Sequence, residues 1–68
     1  MRRYPNRDDV NRVLRTIRVL RSKDELRRMT GLSSELIDGA LKALMATHRA
    51  EPVYIVGRPV MWRAVDDR

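Results

Sequence analysis

The 68-residue chain has room for one domain and not for two. It contains no Cys, which excludes disulfides and thiolate metal sites, and no apolar run approaches the roughly 20 residues needed to cross a bilayer. Its formal net charge of +6 points to a polyanionic partner, because Lys and Arg that neutralise phosphates release condensed counterions.

Met1-Arg2-Arg3 is followed by Tyr4-Pro5-Asn6 rather than by an apolar signal core, so a cytoplasmic location is expected. Asn6 is placed to cap a first helix, with Asp8 and Asp9 in a first turn that the helix dipole favours. Val10, Val13, Leu14, Ile17 and Leu20 then follow at spacings of three and four, which predicts one buried stripe; Arg12, Arg15 and Arg18 fall on another face. Ser22-Lys23-Asp24-Glu25 has the serine and glutamate of a capping box, so a second helix is predicted there after only a tight corner. Leu26 and Met29 are expected to face inward. Gly31 is the expected left-handed residue that stops this helix, and Leu32 folds back on it.

Ser33 is the next cap, and Leu36, Ile37, Ala40, Leu41 and Leu44 carry the period of a third helix to about Thr47. Val53 to Val56 and Val60 to Val65 are rich in β-branched and aromatic residues, and Gly57-Arg58-Pro59 supplies turn chemistry between them, which predicts a hairpin. With Arg58 and Pro59 as a two-residue loop, Ile55 pairs with Trp62 and Val53 with Ala64 on the face toward the helices, and Tyr54, Val56 and Met61 point outward. This register buries the single Trp, and a slip of one residue exchanges the faces. The predicted fold is α+β, mainly α with a small β-hairpin: three helices and then two strands, in one domain over 1–68 with frayed ends at 1–6 and 66–68.

The run Ser22-Lys23-Asp24-Glu25-Leu26-Arg27-Arg28-Met29-Thr30-Gly31-Leu32-Ser33, continued by Ile37, Leu41 and Leu44, resembles the helix-turn-helix of many prokaryotic transcription regulators of bacteria, archaea and phages. Gly57-Arg58-Pro59 followed by Trp62 is similar to the wing sequence of several winged-helix families, including multiple-antibiotic-resistance type regulators and a bacterial chromosome-segregation subunit. The resemblance covers residues 8 to 65 and implies a winged helix-turn-helix that binds double-stranded DNA, as a small transcriptional regulator or another DNA-transaction factor. It implies a third helix in the major groove, exposing Ser33, Ser34, Glu35, Asp38, Gly39 and Lys42. Ser33 and Ser34 would approach phosphates or base edges, and Glu35 and Asp38 would accept from a cytosine amino group. Arg58 would enter the minor groove from the wing tip, with Arg63 along the wing near the backbone. Asp38-Gly39 departs from the family pattern, which often has groove-facing polar residues there, and makes the reading surface nearly neutral.

Residues 1–28 hold ten basic residues against four acids, whereas 29–68 hold five of each, so the excess charge belongs to the first two helices. Arg12, Arg15, Arg18, Arg27 and Arg28 are therefore candidates to hold flanking phosphates while the third helix reads few bases. The alternatives are that DNA meets a different face, or that the acidic spots and outward apolar hairpin residues make a protein-interaction module of the same fold, docking on a polymerase, repressor or replication protein. A homodimer on DNA is a further expectation, since regulators of this kind usually need two half-sites and an apolar hairpin face or an edge strand pairs copies.

His48 is a lone histidine near a helix end, where a cation suits the dipole. Met29, Met45 and Met61 read as gap fillers or surface contacts, and Trp62 as the anchor of the hairpin. Ser22, Ser33 and Ser34 have cap explanations, and one His without a glycine-rich phosphate loop assembles no triad, metal cluster or nucleotide cradle. No enzyme activity, cofactor or metal is expected.

Overall fold

Asn6 begins the first helix through a reciprocal pair of bonds: its Oδ1 accepts from the Asp9 N–H at 2.8 Å, and Asp9 Oδ2 accepts from the Asn6 N–H at 3.1 Å. In this computed structural model, which describes residues 4–65, helix α1 spans Arg7–Thr16. Of the fraying expected at 1–6 and 66–68, residues 1–3 and 66–68 lie outside the described residues, whereas Asn6 is held in the capping box and Pro5 lies against Gly39. Val13 and Ile17 of the predicted stripe are fully buried, and Val10 and Leu14 pack against them at the edge. Leu20 departs from the expectation and stays 36% exposed, because the helix has stopped at Thr16 and the helical period no longer governs its direction.

The corner between the first two helices is a strand, not only a turn. Arg21–Ser22 form β1. Ser22 then caps α2, Lys23–Thr30, by accepting from the Glu25 N–H at 3.3 Å while its own N–H donates to Glu25 Oε1 at 2.9 Å. Leu26 is buried as expected, but Met29 is 55% exposed and Thr30 takes the inward place. The step of four from Leu26 to Thr30 follows the core, and the buried hydroxyl is satisfied within the turn, donating to the Leu26 carbonyl at 2.6 Å and accepting from the Leu32 N–H at 3.2 Å. Gly31 ends α2 at φ +73°, with its N–H on the Arg27 carbonyl at 3.0 Å.

Helix α3 spans Ser34–Ala46 behind the Ser33 cap, and its five predicted apolar residues are buried. It stops on a residue that usually is glycine. His48 sits at φ +59°, its N–H donates to the Met45 carbonyl at 3.0 Å, and the Arg49 N–H donates to the Leu44 carbonyl at 2.7 Å, which together make a Schellman stop.

Strands β2 (Ala50–Val53) and β3 (Met61–Ala64) complete an antiparallel sheet of order β1-β3-β2, so the predicted two-stranded unit gains a third strand from the first corner. The register differs from the predicted one. Trp62 lies opposite Pro52 rather than Ile55, and Ala64 opposite Ala50 rather than Val53. The turn is the cause: the Arg58 N–H donates to the Ile55 carbonyl at 3.0 Å with Gly57 third at φ +79° and Val56 at negative φ, a type II turn that ends one residue before Pro59. Residues 54–60 thus form a loop instead of two residues, and the odd shift turns the second strand over. Ala50 and Pro52 share the inner face with Trp62 and Ala64, and Val53 joins Met61 outside. Tyr54 and Val56 are exposed as expected, whereas Ile55 is released into the loop at 40% exposure. Pro52 is tolerated because β2 is an edge strand.

Two stability predictions follow from these caps. Replacing His48 by Gly removes the left-handed strain and is expected to stabilise the protein by about 1 kcal/mol, read as a raised thermal midpoint. The Ser22 N–H on its carboxylate holds Glu25 below the usual glutamate range; partial loss of water opposes this, and Arg21, the Ser22 hydroxyl and Arg28 reinforce it. A carboxylate whose folded pKa is depressed contributes stability above its unfolded value and loses it as pH falls through the folded value. Melts of the wild type and Glu25→Gln should therefore differ at neutral pH, with the variant weaker, and converge in acid below the ordinary glutamate value; a constant gap across that range would contradict the assignment.

Candidate nucleic-acid interface

The outer side of α3 is open, but not in the form its sequence suggests. Glu35, Asp38 and Lys42 are exposed at spacings of three and four, Ser33 is exposed at the cap, and Ser34 is half-buried. Gly39 is not a free groove-facing position. A Cβ built there would stand 2.7 Å from Pro5 Cδ and 3.2 Å from Pro5 Cγ, so Gly39 is the place where the segment entering α1 lies against α3. This contact explains a mid-helix glycine that costs up to about 1 kcal/mol in propensity. Asp38 is also engaged: its Oδ1 lies 2.7 Å from Lys23 Nζ at the start of α2. Both side chains are partly exposed, so the pair is worth only about 0–1 kcal/mol and mainly cancels a carboxylate that would repel phosphate. Glu35 and Lys42 remain as charged groups on this side that make no ion pair among the described residues.

Arg27 and Arg28 lie at the other end of the same surface. They line a recess of about 570 Å³ with Asp24, Gly31, Leu32 and Ser33, where α2 stops and α3 begins. Ser33 Oγ accepts from the Leu36 N–H at 3.3 Å, and the first amides of α3 point outward here with the positive end of the helix dipole. Two exposed guanidinium groups beside such an end form a cationic edge suited to a phosphate.

The arginines of α1 divide differently. Arg12 Nη1 donates to the Thr30 carbonyl at 3.2 Å and so caps the end of α2, a structural use that its sequence position did not announce. Arg15 and Arg18 are exposed and make no ion pair among the described residues. The three helices pack pairwise on a shared core, so their outward faces diverge. At 3.6 residues per turn, Arg15 lies on the side of α1 away from Val13 and Ile17, and Arg18 follows in the turn after the helix.

In the hairpin, Arg58 is exposed in the 54–60 loop without an ion pair among the described residues. Arg63 is exposed on the outer sheet face, where its guanidinium rests on the Glu51 carboxylate across the strand pair. Arg21 reaches Glu25 at 3.9 Å and leaves its Nε buried without a partner. A second recess of about 370 Å³ lies between the start of α2 and the hairpin loop, lined by Ser22, Lys23, Asp24, Tyr54, Pro59, Val60 and Trp62. Among the described residues, no cluster of three or more His, Cys, Asp or Glu could hold a metal ion, and no helix is long and apolar enough to cross a membrane.

Sequence reasoning missed Lys23, Pro5 and Glu51, which respectively neutralise Asp38, cover Gly39 and neutralise Arg63. Only Gly39 carried a signal: a glycine inside an otherwise regular apolar period marks a close approach. Comparison with protein-family models, with curated proteins and with solved structures finds no match to this chain.

The Pro5 contact yields a double-mutant test. Gly39→Ala alone is expected to fall well short of the roughly 1 kcal/mol that an unobstructed helix position gains, and the gain should return in a Pro5→Ala background, where the ring carbons are gone. Urea unfolding of the four proteins measures the coupling; strictly additive effects would show that the ring does not press on α3.

Proposed function

We propose that this protein binds double-stranded DNA as a winged helix-turn-helix, in transcriptional regulation or a related DNA transaction. α3 enters the major groove and the 54–60 loop, as the wing, carries Arg58 to the adjacent minor groove. The observation that supports this reading best is the cationic edge of Arg27 and Arg28 beside the capped start of α3, next to an outer helix side on which Glu35, Asp38 and Lys42 are exposed. Phosphates on that edge fix the register of the helix, and base contacts are few. With Asp38 held by Lys23, Glu35 is the carboxylate free to accept from a cytosine amino group, while Lys42 donates to phosphate or guanine. Backbone contact dominates such a set, which makes the expected sequence preference shallow.

A protein partner is the second reading, favoured by the apolar loop: Tyr54 is 77% exposed and Val56 101%, beside the recess that Trp62 lines. Extension of the sheet by a second copy is disfavoured, since the free edge of β2 carries Glu51 and Pro52 and β1 has two residues.

Fluorescence anisotropy with a labelled duplex across a salt series tests the first reading. The log of affinity should fall with log salt at about 0.9 per neutralised phosphate, Arg27→Ala with Arg28→Ala should lower that slope by about 1 to 2, and Arg58→Ala should cost about 1 to 3 kcal/mol. No complex at low salt would remove DNA binding and leave the protein partner.

A further inference from the structure

The exposed strip of α3 has a neighbour on each flank. At about 100° per residue, Lys42 lies within about 20° of Glu35 around the helix, Asp38 about 60° to one side and Gly39 about 40° to the other. Lys23 stands on the Asp38 flank at 2.7 Å, and it also lines the recess with Tyr54, Pro59, Val60 and Trp62, so the hairpin loop belongs to that side. Pro5 stands on the Gly39 flank, its ring carbons 2.7 and 3.2 Å from a Cβ built on the glycine. The segment entering α1 therefore runs beside the strip on the flank opposite the hairpin loop.

This segment is basic and open to solvent. Tyr4 is 82% exposed. Arg7, two residues after Pro5 and the first residue of α1, is exposed and makes no ion pair among the described residues. Arg2 and Arg3 precede Tyr4 in the sequence, and two residues span at most about 7 Å, which tethers Arg3 to the Gly39 flank. Asp8 is the exposed acid of the stretch, since Asp9 is buried and engaged in the capping box. A helix seated in a major groove about 12 Å wide has a sugar-phosphate strand on either side of it, so cations on both flanks of α3 meet both strands.

We propose that residues 2–7 are a second backbone contact on the same duplex, with Arg3 and Arg7 holding phosphates of the strand across the groove from the hairpin loop. This rests on the DNA-binding reading above and adds to it an arm that grips the duplex from the other side. The arm touches backbone alone, so its contribution is independent of base sequence and is lost as salt rises.

The test uses the full chain and a fluorescent duplex. Arg3→Ala with Arg7→Ala should lower the salt slope by about 1 to 2 and weaken duplexes of unrelated sequence by the same factor, whereas Asp8→Asn should tighten them all. Melting curves verify that the fold persists in each variant. Because the chain has no Cys, Tyr4→Cys and Val56→Cys each carry one benzophenone cross-linker, at an exposed site on either flank. Both should cross-link to the duplex, and neither should do so at a salt concentration that dissociates the complex. A duplex that cross-links to position 56 and never to position 4 overturns the arm while the DNA-binding reading stands. So does an unchanged salt slope in the arginine variant, or a loss that differs between sequences, which would make the segment a reader of bases. No binding of wild-type protein to any duplex at low salt defeats the DNA-binding reading itself.

Discussion

Helices of ten, eight and thirteen residues are too short to persist in water alone, where the cost of nucleating a turn outweighs the bonds that so few residues add. What holds them is mutual burial: Val13 and Ile17 from α1, Leu26 from α2, and Ile37 and Leu44 from α3 meet in one cluster, with Trp62 and Ala64 of β3 closing its edge. Each fully buried branched side chain contributes about 1.5–3 kcal/mol relative to exposure, so no helix can leave without weakening the others. The directions of the outer faces follow from this cluster. A side chain that must face inward on one helix dictates which arginine, three or four residues away, faces water.

The charge of the chain is therefore sorted by packing. Carboxylates neutralise Arg63, and more loosely Arg21, on or beside the sheet, while Lys23 neutralises Asp38 on α3. These pairs are worth little as stabilisers, being exposed, but they decide where net positive potential survives. Exposed arginines without an ion pair among the described residues remain at the junction of α2 with α3, in the hairpin loop and along α1.

Much of the fold was legible because it is local. Asn6, Ser22 and Ser33 cap the helices that follow them, Gly31 adopts the left-handed stop, and the 3.6-residue period picked out every buried residue of α3. What escaped depends on residues distant in sequence. The pairing of β1 with β3 joins Arg21 to Trp62, a contact that two residues cannot announce. The hairpin register was misplaced because Gly57 is indeed a turn residue, but third in a turn that begins at Ile55, and no local rule separates that from a tighter loop around Pro59. At the candidate interface, the residue types were readable and their availability was not. Lys23 and Pro5 withdrew Asp38 and Gly39 from the reading surface, and the Thr30 carbonyl drew Arg12 into a cap.

Ser22 belongs to two structures at once. It pairs with Met61 across the sheet, and it is the residue whose side chain and N–H close the capping box of α2. One residue later, Lys23 reaches across to Asp38 on α3. The hairpin, the second helix and the third thus meet at two adjacent residues, with the strand pairing and the capping box carrying the tie and the exposed ion pair adding little. A substitution at Ser22 therefore disturbs the sheet and the start of the second helix together, so its cost belongs to neither element alone.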